Sequence, residues 1–186
     1  KSSISSECTS GAYPRMMASI AIVWLRRDLR LHDHPALHGA ALDHDHVVPL
    51  FVDDARLTGG RFASPARNAF LRRCLAELDA GLAERGGGLV VRAGRPEDVV
   101  PALAAELGAA EVRWTSDVSP FARARDRVVT AALEDAGVAA RPQPGNYAAD
   151  VSRPRTKTGK PVTVFTPFHR IQRELKRRPV LGAPEA

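Results

Sequence analysis

Six consecutive apolar residues, Ile20-Ala21-Ile22-Val23-Trp24-Leu25, run directly into Arg26-Arg27-Asp28-Leu29-Arg30-Leu31-His32-Asp33-His34 and then Pro35. An apolar run of strand length without polar alternation fits a strand buried on both faces, as in a parallel sheet covered by helices. The charges begin where the carboxyl end of that strand emerges. Ligands bind along this edge in open α/β sheets, so one stretch gives both a fold class and the place to look for a site.

The rest of the chain repeats the rhythm. The first strand, 20–25, is followed by a short helix from Pro35, a strand over 47–52 and a long helix over 64–84. A strand over 89–92, a helix over 96–107, a strand over 111–115, a helix over 119–136 and a last strand over 138–141 complete it. Ala66, Phe70, Cys74, Leu78 and Leu82 share one helical stripe, as do Val99, Val100, Leu103 and Leu107. Ser64-Pro65 and Arg95-Pro96-Glu97 mark helix starts, and Gly86, Gly108 and Gly137 mark helix ends. The expected architecture is an α/β, doubly wound, Rossmann-like, five-stranded parallel sheet with helices on both faces and strand order 3-2-1-4-5. Pro49 disagrees with an interior second strand and points to an edge or a bulge there.

A length of 186 residues allows one domain with a full core. We expect residues 1–17, rich in Ser, to be a disordered leader or an expression remnant, residues 18–143 to form the α/β domain, and residues 144–186 to form a basic linker carrying a short amphipathic piece over 168–175. No apolar stretch approaches the ~18 residues that span a membrane, and two cysteines without framework spacing fit a cytoplasmic protein. The net charge of +6 and pI near 10.0 come mostly from arginine. Arginines that share helix faces with acids, such as Arg72 and Arg73 with Glu77, or Arg123 and Arg125 with Asp126, read as solvated surface. The tail, from Arg141 to Arg178, is the better candidate for phosphate contacts.

Several motifs dissolve on inspection. Gly86-Gly87-Gly88 precedes its strand, whereas a phosphate cradle must follow a strand and open a helix. His32-Asp33-His34 and His44-Asp45-His46 fall at opposite ends of a parallel sheet, so we expect no metal site; Asp33 reads as the cap of the helix at Pro35. Cys74 falls on the apolar stripe, and no serine sits in a nucleophile elbow. What remains is a cleft at the carboxyl edge. A flat, polar-edged ligand there would meet Arg26, Asp28, Asp53, Arg67 and Asp117, between apolar walls at Phe51 and Phe121.

Four segments, in order, resemble the DNA photolyase and cryptochrome family: Trp24-Leu25-Arg26-Arg27-Asp28-Leu29-Arg30-Leu31-His32-Asp33; Leu50-Phe51-Val52-Asp53-Asp54 with Ser64-Pro65-Ala66-Arg67; Trp114-Thr115-Ser116-Asp117-Val118-Ser119-Pro120-Phe121-Ala122-Arg123-Ala124-Arg125-Asp126; and Thr156-Lys157-Thr158-Gly159-Lys160-Pro161 with Val164-Phe165-Thr166-Pro167-Phe168. The resemblance is to the amino-terminal, antenna-binding α/β domain of a class I-like deoxyribodipyrimidine photolyase. It implies a light-harvesting small molecule here. A helical domain beyond the linker, in the same or a separate chain, would bind FAD and UV-damaged DNA and split cyclobutane pyrimidine dimers by electron transfer. On that expectation the sequence covers the antenna half and is not catalytic alone.

Carried over residue by residue, Arg26, Asp28, Phe51, Arg67 and Asp117 favour 8-hydroxy-5-deazaflavin as the antenna chromophore. The family's folate-binding members carry an Asn-Glu pair where this sequence has Phe121-Ala122, which argues against methenyltetrahydrofolate; flavin mononucleotide (FMN) or an empty pocket stays open. Two departures stand out: Val162 replaces the usual aromatic after Lys160-Pro161, and His169-Arg170-Ile171-Gln172 lacks the usual tryptophan. Two other functions fit the same pattern: a cryptochrome-like blue-light photosensory module, and a generic nucleotide-binding α/β domain, which would require a phosphate loop after a strand.

Overall fold

A computed structural model describes residues 18–60, 63–149, 154–156 and 158–185. The expected leader lies outside these residues. Five parallel strands, β1 (Ile20–Leu25), β2 (His46–Asp53), β3 (Val90–Ala93), β4 (Glu111–Thr115) and β5 (Ala139–Gln143), form one sheet in the order β3-β2-β1-β4-β5. The predicted order is therefore the one observed, with strand ends displaced by one or two residues. The helices are α1 (Pro35–Asp43), α2 (Ala55–Thr58), α3 (Pro65–Ala83), α4 (Pro96–Leu107), α5 (Pro120–Asp135) and α6 (Phe165–Glu174). α2 has no counterpart in the sequence-based reading, because a four-residue helix carries no periodic signal.

β1 alternates strictly between two cores. Ile22 and Trp24 join Leu50, Val52, Val112 and Trp114 beneath α4 and α5, while Ala21, Val23 and Leu25 meet α1 and α3 on the other face. Both faces of the central strand are thus apolar, as its unbroken sequence requires. Each fully buried aliphatic side chain there, Ile22, Leu25 or Leu50 among them, contributes about 1.5–3 kcal/mol by leaving water. Gly108, in the left-handed region at φ 60°, ends α4 where the sequence places a stop.

Pro49 is accommodated without a bulge. The register from Ile20↔His46 to Leu25↔Phe51 is uninterrupted, and β3 pairs with β2 only from Leu50↔Val90 onward. At Pro49 the strand is locally an edge, so the missing N–H costs no ladder bond on that side. The α3 stripe is a second difference. Leu78 and Leu82 are buried, but Phe70 is 69% exposed, and Cys74, expected to be buried, is only half-buried. The first turns of α3 stand clear of the sheet, and Phe70, Leu71 and Cys74 line the cavity this leaves.

Candidate functional site

Chain reversal places the switch point of the sheet between β1 and β4, and the segments leaving β1, β2 and β4 diverge at its carboxyl edge. Between them, α3 and α5, lies a cavity of about 900 Å³. All seven residues singled out from the sequence line it: Arg26 and Asp28 after β1, Phe51 and Asp53 on β2, Arg67 in the first turn of α3, and Asp117 and Phe121 before and within α5. It also takes in Trp24, Asp54, Arg56, Cys74 and Arg125.

The period of β1 explains the floor. Arg26 follows Trp24 on the α5 side, and its guanidinium donates to Asp126 Oδ1 at 2.6 Å and to the carbonyl of Thr115. Arg125 donates to the same Asp126 oxygen from Nε (3.2 Å) and Nη2 (3.0 Å), and Asp126 Oδ2 accepts the indole N–H of Trp114 at 3.2 Å. Both guanidiniums lie 4.8 Å from the Trp24 ring centroid. Such desolvated cation–π contacts are worth about 2 kcal/mol.

Asp28 is buried, accepts the backbone N–H of Arg26 at 2.9 Å, and holds His34 Nε2 3.0 Å from its second oxygen. That contact has ion-pair distance without the alignment of a hydrogen bond. His34 Nδ1 accepts the N–H of Leu37 at 3.1 Å, so the ring proton belongs on Nε2, facing the carboxylate. Burial works against the Asp28 charge, but His34, Thr115 and the Arg26 amide outweigh it and hold the carboxyl far below its usual range.

The rim is built from turns. Asp117 accepts the N–H of Ser119 at 2.9 Å and faces Arg27 at 3.3 Å; these contacts overcome partial burial and lower its pKa. Ser119 in turn caps α5 through Ala122 N–H at 3.3 Å. Asp54 caps α2 and grips Arg56, which reaches on to Glu97 of α4 at 2.9 Å. The Arg56 hydrogen bond lowers the Asp54 pKa. Asp53 accepts the hydroxyl of Thr58 at 3.2 Å. Arg67 is exposed at the mouth, while Phe51 is 7% and Phe121 46% exposed.

Three local expectations are corrected. The cap of α1 is His34, not Asp33; Asp33 sits at φ 53° and its carboxylate pairs with Arg178 from the basic tail, while its N–H donates to Leu181 O at 2.8 Å. Arg125 and Asp126 are not solvated surface: Arg125 is 9% exposed because Ala122, Arg125, Val129 and Leu133 form the buried stripe of α5. That spacing is visible in the sequence, so Arg125 could have been found by counting positions instead of charges. Cys74, half-buried, lines the cavity. The two His-Asp-His triplets lie at opposite edges of the sheet, and no group of three metal-binding side chains gathers among the described residues.

The profile of the DNA photolyase family matches residues 21–185. Deoxyribodipyrimidine photo-lyase of Streptomyces griseus is 47% identical over 119 residues, covering 64% of this chain and 26% of that protein. Cryptochrome DASH of Natronomonas pharaonis is 40% identical over 126 residues, covering 65% and 27%. Among solved structures, a bacterial class III photolyase from Agrobacterium tumefaciens superposes with a TM-score of 0.82 at 31% identity, covering 94% of this chain and 36% of that one. An archaeal photolyase from Sulfolobus tokodaii, described with two FAD molecules and the implication of a novel light-harvesting cofactor, gives 0.80 at 26% identity, covering 90% and 37%. The chain belongs to the DNA photolyase family, matching the amino-terminal α/β domain that photolyases and cryptochromes share. It spans between 19% and 60% of the length of curated relatives it matches. Among the described residues no helix is long and apolar enough to cross a membrane.

Proposed function

We propose that this domain binds a light-harvesting chromophore for a DNA photolyase. The carrying observation is the cavity of about 900 Å³ at the carboxyl edge, lined by aromatic walls and a charged rim. Its volume lies within the ~300–1,000 Å³ range of small-molecule sites. Phe51 and Phe121 offer faces to a planar ring, Arg67 and Asp117 offer polar partners at the rim, and the hydrogen-bonded Arg26–Asp126–Arg125 cluster lies beneath. Bound there, the chromophore would absorb blue light and pass the excitation to FAD held by a helical domain that also binds UV-damaged DNA.

A deazaflavin- or flavin-type ring fits this lining better than a folate. Phe121 and Ala122 open α5 with an aromatic face and a methyl group, and neither can pair with a pterin edge. The Sulfolobus tokodaii relative, with its second FAD, supports a flavin in this role. Residues 144–186 are proposed as the linker toward the helical domain, since α6 buries none of its residues here.

Titration of the purified chain with 8-hydroxy-5-deazaflavin, FMN and methenyltetrahydrofolate, followed by absorption and fluorescence, tests the reading. Saturable binding of the deazaflavin or of FMN is expected. Binding of none by a folded sample refutes the antenna role, and tight binding of the folate refutes the chromophore assignment. Dimer repair assayed with the helical domain supplied separates a repair enzyme from a cryptochrome-like photosensor, a distinction that similarity to both groups leaves to experiment.

A further inference from the structure

A chromophore in this cavity would sit beside an electron donor. Trp24 lines the space, is 1% exposed, and is one of only two tryptophans in the chain. Indoles beside excited flavin-type rings quench them: one electron leaves the indole for the ring and an indole radical cation remains. An antenna that did this would lose its energy before passing it on.

The surroundings of Trp24 oppose that step. Arg26 and Arg125 each hold a guanidinium 4.8 Å from its ring centroid. A cation over the ring stabilises the neutral indole and destabilises its radical cation, strongly so in an interior that screens poorly. Asp126 is the carboxylate hydrogen-bonded to both guanidiniums and tempers them; Asp28 acts on Arg26 and Asp54 on Arg125 only through space, Asp28 being bonded to the Arg26 amide and Asp54 to Arg56. Trp114 shows the opposite arrangement. Its N–H donates to Asp126 at 3.2 Å, which favours a cationic indole, yet it does not line the cavity and lies 5.9 Å behind Trp24. The more easily oxidised indole is thus held one ring away from the ligand.

We propose that Arg125, together with Arg26, keeps Trp24 a poor electron donor, so that the indole in the cavity wall does not quench the excited chromophore bound beside it. The inference rests on the antenna reading, but half of its test does not. In a Trp114→Phe chain without chromophore, Trp24 is the sole indole, and its oxidation potential is measured by voltammetry. It is expected above that of N-acetyl-tryptophanamide, to fall with Arg125→Leu, and to recover with Arg125→Lys. In the loaded chain the readout is the fluorescence lifetime of the bound deazaflavin or FMN. Trp24→Phe alone leaves it unchanged, Arg125→Leu shortens it about two-fold or more, and Arg125→Leu with Trp24→Phe restores it. The proposal is overturned if Trp24→Phe alone lengthens the lifetime, if Arg125→Leu leaves it unaltered in a chain that still binds, or if Trp24 oxidises as easily as the free indole. Failure of every chromophore to bind refutes the antenna reading, and the potential of Trp24 in the unloaded chain then decides the guanidinium effect by itself. Arg125→Leu leaves the Arg26–Asp126 bond in place, and the lysine variant controls for lost packing.

Discussion

At the carboxyl edge of the sheet, Arg26 and Arg125 share Asp126 beneath an open cavity. At the amino edge, Glu111 and Arg113, 6% and 7% exposed, form an equally dense cluster: Arg113 donates to Glu111 and, at 2.5 Å, to Asp43, while His44 lies 3.0 Å and Arg141 3.7 Å from Glu111. Burial opposes the Arg113 charge, but Glu111 and Asp43 outweigh it and raise its pKa. α1 closes over this second cluster because Gly39 has no side chain; a Cβ there would stand 2.4 Å from Arg113 Nη1. The difference is one of chain path. Helix starts at the carboxyl edge are held apart by loops and by α2, whereas α1 packs directly on β4 at the other end. A buried ion-pair network is therefore no mark of a site by itself; the space beside it is.

The contrast breaks most visibly with Asp126→Ala and Glu111→Ala. Removing Asp126 leaves two buried guanidiniums without their carboxylate, at about 3–5 kcal/mol, and is expected to abolish the proposed chromophore binding. Removing Glu111 costs less, since Arg113 keeps Asp43, and leaves the chromophore dissociation constant unchanged. Urea unfolding and a fluorescence titration of both variants check this. Loss of binding in Glu111→Ala would erase the distinction between the edges.

Arg67→Ala and Asp117→Ala sharpen it at the rim. Each is expected to weaken chromophore binding by roughly ten-fold or more, as removal of a charged hydrogen-bonding partner does, with a smaller change in unfolding midpoint. Parent-like affinity in both variants would remove the rim from the site.

Acid titration separates Asp28 from the rest. Its folded pKa is depressed relative to an unfolded value near 3.9, so its contribution is full above that value and lost as pH falls through the folded one. Stability of the parent chain should drop below about pH 4 by on the order of 2 kcal/mol more than that of Asp28→Asn. Urea midpoints at descending pH measure it, and parallel curves would deny Asp28 this role.

The smallest effect belongs to the tail. Arg178 joins Asp33 and the carbonyl of Gly145, so Arg178→Ala should leave the unfolding midpoint of the α/β domain in place while hastening proteolysis after residue 148. Unchanged digestion would show that the Leu181–Asp33 backbone bond suffices.

The sheet order followed from the doubly wound class and not from any local pattern; sequence alone determined the strands, most helices and the edge where the cavity lies. These rest on local periodicity, on proline and glycine at helix ends, and on the apolar continuity of β1, all of which neighbouring residues encode. The seven cavity residues were legible because the parallel topology carries every strand's carboxyl end to one edge. What only tertiary structure decided was the fate of charges. Arg125 turns inward onto Trp24, Asp33 gives the α1 cap to His34 and takes Arg178, Pro49 is spared by a β3 that begins one residue later, and α3 lifts Phe70 and Cys74 off the sheet. Each depends on a partner distant in sequence, 145 residues in the case of Arg178 and Asp33. An ionised side chain follows whichever counter-charge the fold brings near it, and no local pattern records that choice.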